Sequence, residues 1–203
     1  TPLFPVENIV PQISFEGPRM IVSKDVWNPD WKDYVLESTI VVGDNDGNSL
    51  YFRYQDEENW YRFNIEGTDG EADWRPPFGA SIQKKVNGIY TDLGRDDRIA
   101  MDPSDTSWFK QVKVRISAIG SNFEVQVTPY DTLLVPPAYN EGLGVVISFI
   151  DDSLADGRVG FGSWGQSGTR VTDLIPVGAG TFHDNMTVTV DGVVVFEENW
   201  ENE

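Results

Sequence analysis

The stretch LYFRYQDEENWYRF, residues 50–63, consists of two aromatic-rich runs on either side of an acidic turn. In both runs the residue types alternate with a period of two, which is typical of β-strands that bury one face. The polar turn between them predicts an antiparallel hairpin. The predicted core face carries Leu50, Phe52, Tyr54, Tyr61, Phe63 and Ile65. The opposite face carries Tyr51, Arg53, Gln55, Trp60, Arg62 and Asn64.

The same alternation recurs along the rest of the chain. Strand-like runs pair across short turns at 87–88 (Asn-Gly), 120–121 (Gly-Ser) and 191–192 (Asp-Gly). Asn-Gly favours a two-residue hairpin turn because both central residues need positive φ. No window carries the apolar spacing of an amphipathic helix. The chain therefore reads as an all-β sandwich or barrel, and the absence of a repeat or linker predicts one domain over residues 1–203.

The composition allows a folded domain and restricts its partners. Hydrophobic residues make up 39% of the chain, enough for a core. The 33 acidic and 15 basic residues leave a net charge of −18, which repels nucleic acid and anionic membrane surfaces and attracts cations. The absence of cysteine excludes disulfides and thiolate sites. No apolar run approaches the roughly 20 residues of a spanning helix, so we expect no membrane insertion. Because of the negative charge we also expect no nucleic-acid partner.

Four long loops stand between the predicted strands, at 67–79, 94–107, 129–144 and 165–181. Loops of this length in a compact β domain are usually functional or flexible. Trp74 stands in EADWRPPFG, whose prolines oppose regular strand pairing, and Tyr139 stands in VPPAYNEG. We therefore predict that these aromatic side chains are presented for binding.

The outer face of the 50–63 hairpin offers the residue types that bind sugars. Aromatic rings stack on pyranose faces, and planar polar side chains hydrogen-bond to hydroxyls. A solvated sheet face with weak arginine–carboxylate pairs explains the same pattern equally well. The candidate ligand-binding residues are Trp74, Tyr139, Tyr51, Arg53, Trp60, Arg62, Gln83 and Lys85.

A succession of motifs resembles the concanavalin A-like lectin/glucanase superfamily, nearest to bacterial laminin-G-like and thrombospondin-C-terminal-like modules. The order matches over roughly residues 30–190. The resemblance implies a two-sheet antiparallel jelly-roll sandwich with one concave sheet. Within the single domain we expect residues 1–11 to form an extended N-terminal arm. His183 and the longer loops at 67–79 and 129–144 depart from the family pattern. The motifs are YFRYQDEENWYRFNIEG, SIQKKVNGIYTDL, WFKQVKVRISAIGSNFEVQV, DGRVGFGSWG and FHDNMTV.

The same resemblance implies a structural calcium. In many such modules an acidic side chain near the N-terminus and another in the closing strand hold the ion, and here these positions are Glu16 and Asp184. Calcium needs about six to eight oxygens, so backbone carbonyls and water would supply the rest. A second segment, 44–49 (DNDGNS), begins like an EF-hand loop but has Gln55 at the twelfth position, and it is more simply a polar turn.

Catalysis is the weaker hypothesis. Retaining glycosidases of this fold place acidic residues two apart on one strand, and no such triplet occurs in the chain. The only histidine, His183, has no nucleophile-elbow sequence to accompany it. A lyase or glycoside hydrolase would require carboxylates brought together from separate strands.

The leading hypothesis is a non-catalytic, lectin-like carbohydrate-binding module that holds an adjacent domain or a cell near a polysaccharide. A calcium-dependent adhesion domain of the laminin-G kind, contacting another protein, is the alternative. The chain begins at Thr1 without a signal-peptide pattern, so we expect a mature product or an excised module. The resemblance to modules of secreted enzymes and adhesins implies a secreted or cell-surface location.

Overall fold

A computed structural model describes the chain as a two-sheet β-structure. The described residues are 17–22, 28, 31–41, 48–66, 79–100, 111–165 and 182–198. No helix among them is long and apolar enough to cross a membrane.

Thirteen strands form within the described residues. Alternating residues and short polar turns bring most of them together as antiparallel neighbours along the chain. They are β1 (Gly17–Val22), β2 (Tyr34–Val41), β3 (Asn48–Asp56), β4 (Asn59–Glu66), β5 (Gly79–Val86), β6 (Ile89–Asp96), β7 (Gln111–Ile119), β8 (Asn122–Asp131), β9 (Ala138–Tyr139), β10 (Val145–Ile150), β11 (Arg158–Gly165), β12 (Phe182–Val190) and β13 (Val193–Glu198).

The strands form two antiparallel sheets. The six-stranded sheet has the order β1-β11-β3-β4-β5-β6, and the seven-stranded sheet has the order β10-β8-β7-β2-β12-β13, with β9 paired to β8. The predicted all-β sandwich of two antiparallel sheets is confirmed. Non-sequential neighbours such as β11 beside β3 show that the sheets are completed by strands distant in sequence.

The hydrophobic core lies between the sheets, where the inward side chains of both meet. On β7, for example, Val112, Val114, Ile116 and Ala118 are buried while the residues between them are at least partly accessible. Burying each such side chain stabilises the fold by roughly 1.5–3 kcal/mol. Other fully buried members are Leu36, Ile40, Leu50, Phe52, Tyr61, Phe63, Ile65, Ile82, Val125 and Val127.

The three predicted hairpin turns are present. Residues 87–88 join β5 to β6, residues 120–121 join β7 to β8, and residues 191–192 join β12 to β13. Asn87 and Gly88 both have positive φ, 51° and 80°, as the Asn-Gly prediction requires. These turns set the register of each hairpin, and hence which side chains share a face.

The alternation predicted for β3 is wrong at Arg53. This residue has a φ of +46°, and the pairing of β3 with β4 shifts between Phe52 and Asp56. The extra residue of such a bulge re-aims the side chains that follow it. The Arg53 side chain is consequently buried against the Phe123 ring in the core, whereas its sequence position predicted the outer face.

The same irregularity displaces Tyr54 from its predicted position in the core. Tyr54 instead packs with Tyr51 and Trp60 in a separate aromatic cluster. The outer face of β3 therefore gains an aromatic ring and loses a guanidinium relative to the sequence prediction.

Candidate functional site

The candidate site lies on the outer face of the six-stranded sheet, the side away from the core. Strand register places Tyr51, Arg62, Gln83 and Asp92 side by side across β3, β4, β5 and β6. Register and two-residue periodicity thus bring together residues 41 positions apart.

A chain of hydrogen bonds runs along this row. The Arg62 guanidinium donates to the Gln83 side-chain oxygen, and the Gln83 amide nitrogen donates to the Asp92 carboxylate over 2.7 Å. Arg62 and Gln83 are only 1% and 2% exposed, whereas Asp92 is exposed. The positive end of this series of hydrogen bonds, Arg62, is thus buried, and the negative end, Asp92, is exposed to solvent.

An aromatic row, formed by Tyr54, Tyr51, Trp60 and Tyr90, runs beside these hydrogen bonds and shares Tyr51 with the row that contains them. Trp60 lies 5.3 Å from Tyr51 and 5.6 Å from Tyr90 between ring centres, both in edge-to-face geometry. The Arg62 guanidinium carbon lies 5.1 Å from the Trp60 ring centre, which joins the two rows. Tyr51 and Trp60 are buried, and Tyr90 on β6 is half-buried, so Tyr90 is the ring of this trio that a ligand can reach.

Tyr54 closes the other end of the aromatic row, 6.5 Å from Tyr51. Burial, together with the negative charges of Glu57 and Asp56, raises the pKa of Tyr54 to about 12. The phenol therefore stays protonated, and this end of the row adds no charge to the site.

The Lys85 ammonium is held at the exposed end of the aromatic row. It donates 3.0 Å hydrogen bonds to the Glu57 carbonyl and the Glu58 carboxylate, and it lies 5.3 Å from the Tyr90 ring centre. The Trp60 indole nitrogen donates to the same Glu57 carbonyl over 3.2 Å. The β3–β4 turn is thereby fastened beside Tyr90.

Two serines on this face differ in their hydrogen bonding. The Ser49 hydroxyl lies 2.7 Å from the side-chain amide of Asn64. Ser81, which pairs with Asn64 and Arg95 on either side, is 1% exposed, and its hydroxyl has no hydrogen-bond partner within the described parts of the chain. A buried hydroxyl without a partner is costly, so a buried water at Ser81 would be stabilising.

The predicted ligand-binding residues are divided among three places. Arg53 lies on the core side, as described above, and Tyr139 lies on the other sheet. Trp74 is outside the described residues. The five that the sheet brings together on the outer face are Tyr51, Trp60, Arg62, Gln83 and Lys85.

Tyr139 belongs to a different polar cluster, on the seven-stranded sheet. Its hydroxyl accepts a hydrogen bond from the Gln111 amide over 2.7 Å and lies 3.4 Å from the Thr39 hydroxyl. Its ring meets Tyr130 edge to face at 5.3 Å. The side chain thus helps to hold β9 against β8, in a different sheet from β3–β6.

Sequence reasoning missed Tyr90 and Asp92, the accessible members of the face. The signal was present in IYTDL (89–93), where period-two alternation places Tyr90 and Asp92 on one face and Ile89, Thr91 and Leu93 on the other. Counting back from the Asn87-Gly88 turn pairs Tyr90 with Lys85, as the structure has it.

The metal prediction is largely outside what the structure describes. Glu16 is not among the described residues; Asp184 lies on β12 opposite Thr39, with only its backbone described. Within the described ranges, no group of three or more acidic, histidine or cysteine residues could hold a metal ion.

Comparison with known proteins finds similarity only among solved structures. No family model matches the chain, and no curated protein matches it. A tetrameric galectin from Cinachyrella sp. (ball sponge) is 14% identical, with 86% of this chain and 100% of that chain covered and a TM-score of 0.48. Chicken galectin 2 is 9% identical, with 77% and 89% covered and a TM-score of 0.46.

A complex of toad ovary galectin with thio-digalactose is 13% identical, with 77% of this chain and 89% of that chain covered and a TM-score of 0.42. Galectins belong to the concanavalin A-like superfamily; the membership of this chain in that superfamily and its laminin-G-like assignment stay predictions. With identities and TM-scores this low, these structures carry nothing about what this chain binds.

Proposed function

We propose that the chain is a non-catalytic carbohydrate-binding module whose ligand contacts the outer face of the six-stranded sheet at β5 and β6. The supporting observation is the chain from buried Arg62 through Gln83 to exposed Asp92, beside the accessible ring of Tyr90. Sugars are bound by such a combination of a ring and a pre-oriented planar acceptor.

The geometry assigns a separate task to each residue. Gln83 is held on both sides, so the Asp92 carboxylate is oriented before a ligand arrives, which lowers the entropy lost on binding. One Asp92 oxygen accepts from Gln83, and the carboxylate retains further acceptor capacity for sugar hydroxyls. Tyr90 supplies the apolar surface against which a pyranose face packs. The buried residues Tyr51, Trp60 and Arg62 act beneath the contact surface as support.

The test is a glycan array that compares the wild-type chain with Tyr90→Ala and with Ile89→Ala. Ile89 is the exposed neighbour on the same strand, so its loss controls for removal of apolar surface. Wild type is expected to bind one class of glycan without releasing products. Tyr90→Ala is expected to weaken that binding about tenfold or more, and Ile89→Ala is expected to leave it unchanged. Equal binding by all three proteins contradicts the site.

The proposal includes the secreted or cell-surface location and the structural calcium at Glu16 and Asp184. The resemblance to modules that contain a structural calcium supports the metal site. The cysteine-free composition and the net charge of −18 are compatible with an extracellular location. An adjacent domain in a longer polypeptide would then be held near a polysaccharide by this module.

A second candidate function is contact with another protein through the loop between β8 and β9. Leu133 and Val135 are 90% and 97% exposed at its tip. The base is ordered by the Asp131 carboxylate, which accepts from the Leu133 amide and the Asn140 side chain over 2.8 Å each. A pre-ordered loop with apolar tips suits protein contact. Leu133→Ser with Val135→Ser would abolish such contact and leave glycan binding unchanged.

A further inference from the structure

We propose that the site prefers saccharides that carry a free amine over neutral or anionic ones. The preference is assigned to an acidic rim, defined as the Asp92 carboxylate and the turn residue Glu58 around the ring of Tyr90. This inference rests on the proposed function, because it names the class of sugar that the same site takes.

The first observation is the state of Asp92. Its carboxylate is exposed and receives a hydrogen bond from the neutral amide of Gln83, and no cation pairs with it among the described residues. Arg62, which begins the series of hydrogen bonds that ends at Asp92, is buried and donates to Gln83. A ligand ammonium meeting Asp92 therefore forms a charge-assisted hydrogen bond, which is stronger than the bond from a sugar hydroxyl.

The second observation is that the site already binds an ammonium of its own. Lys85 Nζ lies between the Glu57 carbonyl, the Glu58 carboxylate and the face of Tyr90. Oxygen acceptors and a ring face are the groups that recognise an amine. Glu58 balances the charge of Lys85. The exposed Asp92 carboxylate remains without a paired cation among the described residues, so the accessible part of the rim is negative.

The third observation is the field of the whole chain. A net charge of −18 attracts cationic ligands and repels uronates and sulfated glycans at distances up to a Debye length. Local and overall charge therefore favour the same class of ligand.

The experiment is calorimetric titration of the full chain with three matched probes in mildly acidic buffer, where sugar amines are protonated. The probes are a β-1,4-linked glucosamine tetramer, its N-acetylated form and a galacturonate tetramer. The amine form is expected to bind at least about threefold tighter than the N-acetyl form. The advantage is expected to shrink when ionic strength is raised from about 0.01 M to about 0.15 M, which shortens the Debye length from about 30 Å to about 8 Å.

Asp92→Asn separates the rim from the overall charge. The asparagine oxygen still accepts from Gln83, so the fold of the site is kept while one negative charge is removed. The amine preference is expected to vanish, so that this variant binds the amine form no more tightly than it binds the N-acetyl form. Asp191→Asn, in the exposed turn between β12 and β13 on the other sheet, removes the same charge and is expected to keep the preference.

The outcomes separate the two proposals. Equal affinity of wild type for the amine and N-acetyl probes overturns the amine preference and leaves a carbohydrate-binding site. Binding of a neutral glycan on the array, with no binding of the amine probe, does the same. Loss of the preference in Asp191→Asn as well as in Asp92→Asn assigns it to the overall field and overturns the role of the rim. No binding of any glycan overturns both proposals.

Discussion

The guanidinium carbon of Arg53 lies 4.7 Å from the centre of the Phe123 ring, inside the sandwich and with 1% of the residue exposed. Its two terminal nitrogens donate to the carbonyls of Lys32 and Leu154 over 2.9 Å each. The chain before β2 and the chain after β10 are thereby fastened to the bulge of β3. A buried cation is tolerated because both terminal nitrogens donate to carbonyls and the guanidinium faces an aromatic ring, although Nε has no hydrogen-bond partner among the described residues.

Replacing Arg53 by Ala is expected to destabilise the fold by about 3 kcal/mol or more, because it leaves a cavity and two carbonyls without their donors. Urea denaturation measures the change. Arg115→Ala, on the outer surface of β7, is the control and is expected to change stability by less than about 0.5 kcal/mol. Similar effects of the two substitutions would show that the Arg53 contacts add little.

Gly157 is expected to be irreplaceable by Ala. It has a φ of +143°, and a Cβ there would meet the Arg53 carbonyl carbon at 2.4 Å. Gly157→Ala should therefore cost about 3 kcal/mol or more. Gly120→Ala, where φ is +57° and nothing lies within 4 Å, should cost only about 1 kcal/mol. Thermal unfolding of both variants measures the difference. Equal losses of stability would show that the loop at Gly157 can move away from the Arg53 backbone.

The Asp151 carboxylate is expected to make the free energy of unfolding fall at acidic pH. Burial alone would raise the pKa of Asp151, but hydrogen bonds from Lys84, Tyr61 and Ser153 outweigh it and hold that pKa well below its usual range. Its stabilising contribution is therefore present above about pH 4, the ordinary carboxylate value, and is lost as pH falls toward the lower folded value.

Asp151→Asn is expected to cost about 1–3 kcal/mol at neutral pH and to flatten the fall of stability below about pH 4. Urea denaturation across that range measures both effects. Asp152→Asn, at the exposed next position, serves as the control. A variant that loses stability on acidification as steeply as wild type would contradict the role of Asp151.

Ser81 and Ser49 form a matched pair on the outer face. Ser81→Ala removes a buried hydroxyl that has no hydrogen-bond partner in the described regions, so it is expected to be neutral or to stabilise by up to about 1 kcal/mol. Ser49→Ala removes a hydroxyl bonded to Asn64 and is expected to destabilise by about 1 kcal/mol. Melting temperatures rank the two. Equal destabilisation by the two substitutions would show that the Ser81 hydroxyl does have a hydrogen-bond partner in solution.

Chelation tests the predicted calcium. A metal that binds only the folded chain stabilises it by mass action, so EDTA is expected to lower the melting temperature and added calcium to restore it. Glu16→Gln with Asp184→Asn is expected to melt at the EDTA temperature in either buffer. An unchanged melting curve in EDTA removes calcium from the proposal.

Local patterns predicted much of the candidate site. Period-two alternation places Tyr61 and Phe63 in the core and places Trp60 and Arg62 on the opposite face. Strand β4 follows this alternation. The Asn87-Gly88 turn then aligns Lys85 with Tyr90. Both signals act over a few residues and need no knowledge of the rest of the fold.

Burial on the outer face was not predictable in the same way. Arg62 and Gln83 have the composition of a solvated surface, yet they are as inaccessible as the core. Accessibility depends on what packs above a residue, and period-two alternation reports only the side of the sheet. The prediction of contact residues consequently selected supporting residues and missed Asp92.

The fold class, the hairpins and the side of the sheet on which most strand residues lie follow from alternation and turn chemistry within about ten residues, so they could be predicted from the sequence. The tertiary structure carries Arg53 into the core, since that requires a bulge in β3 and carbonyls supplied by Lys32 and Leu154, the latter 101 residues away. It likewise joined Asp151 to Tyr61 across the sandwich. Contacts of this separation arise only when the two sheets have packed together.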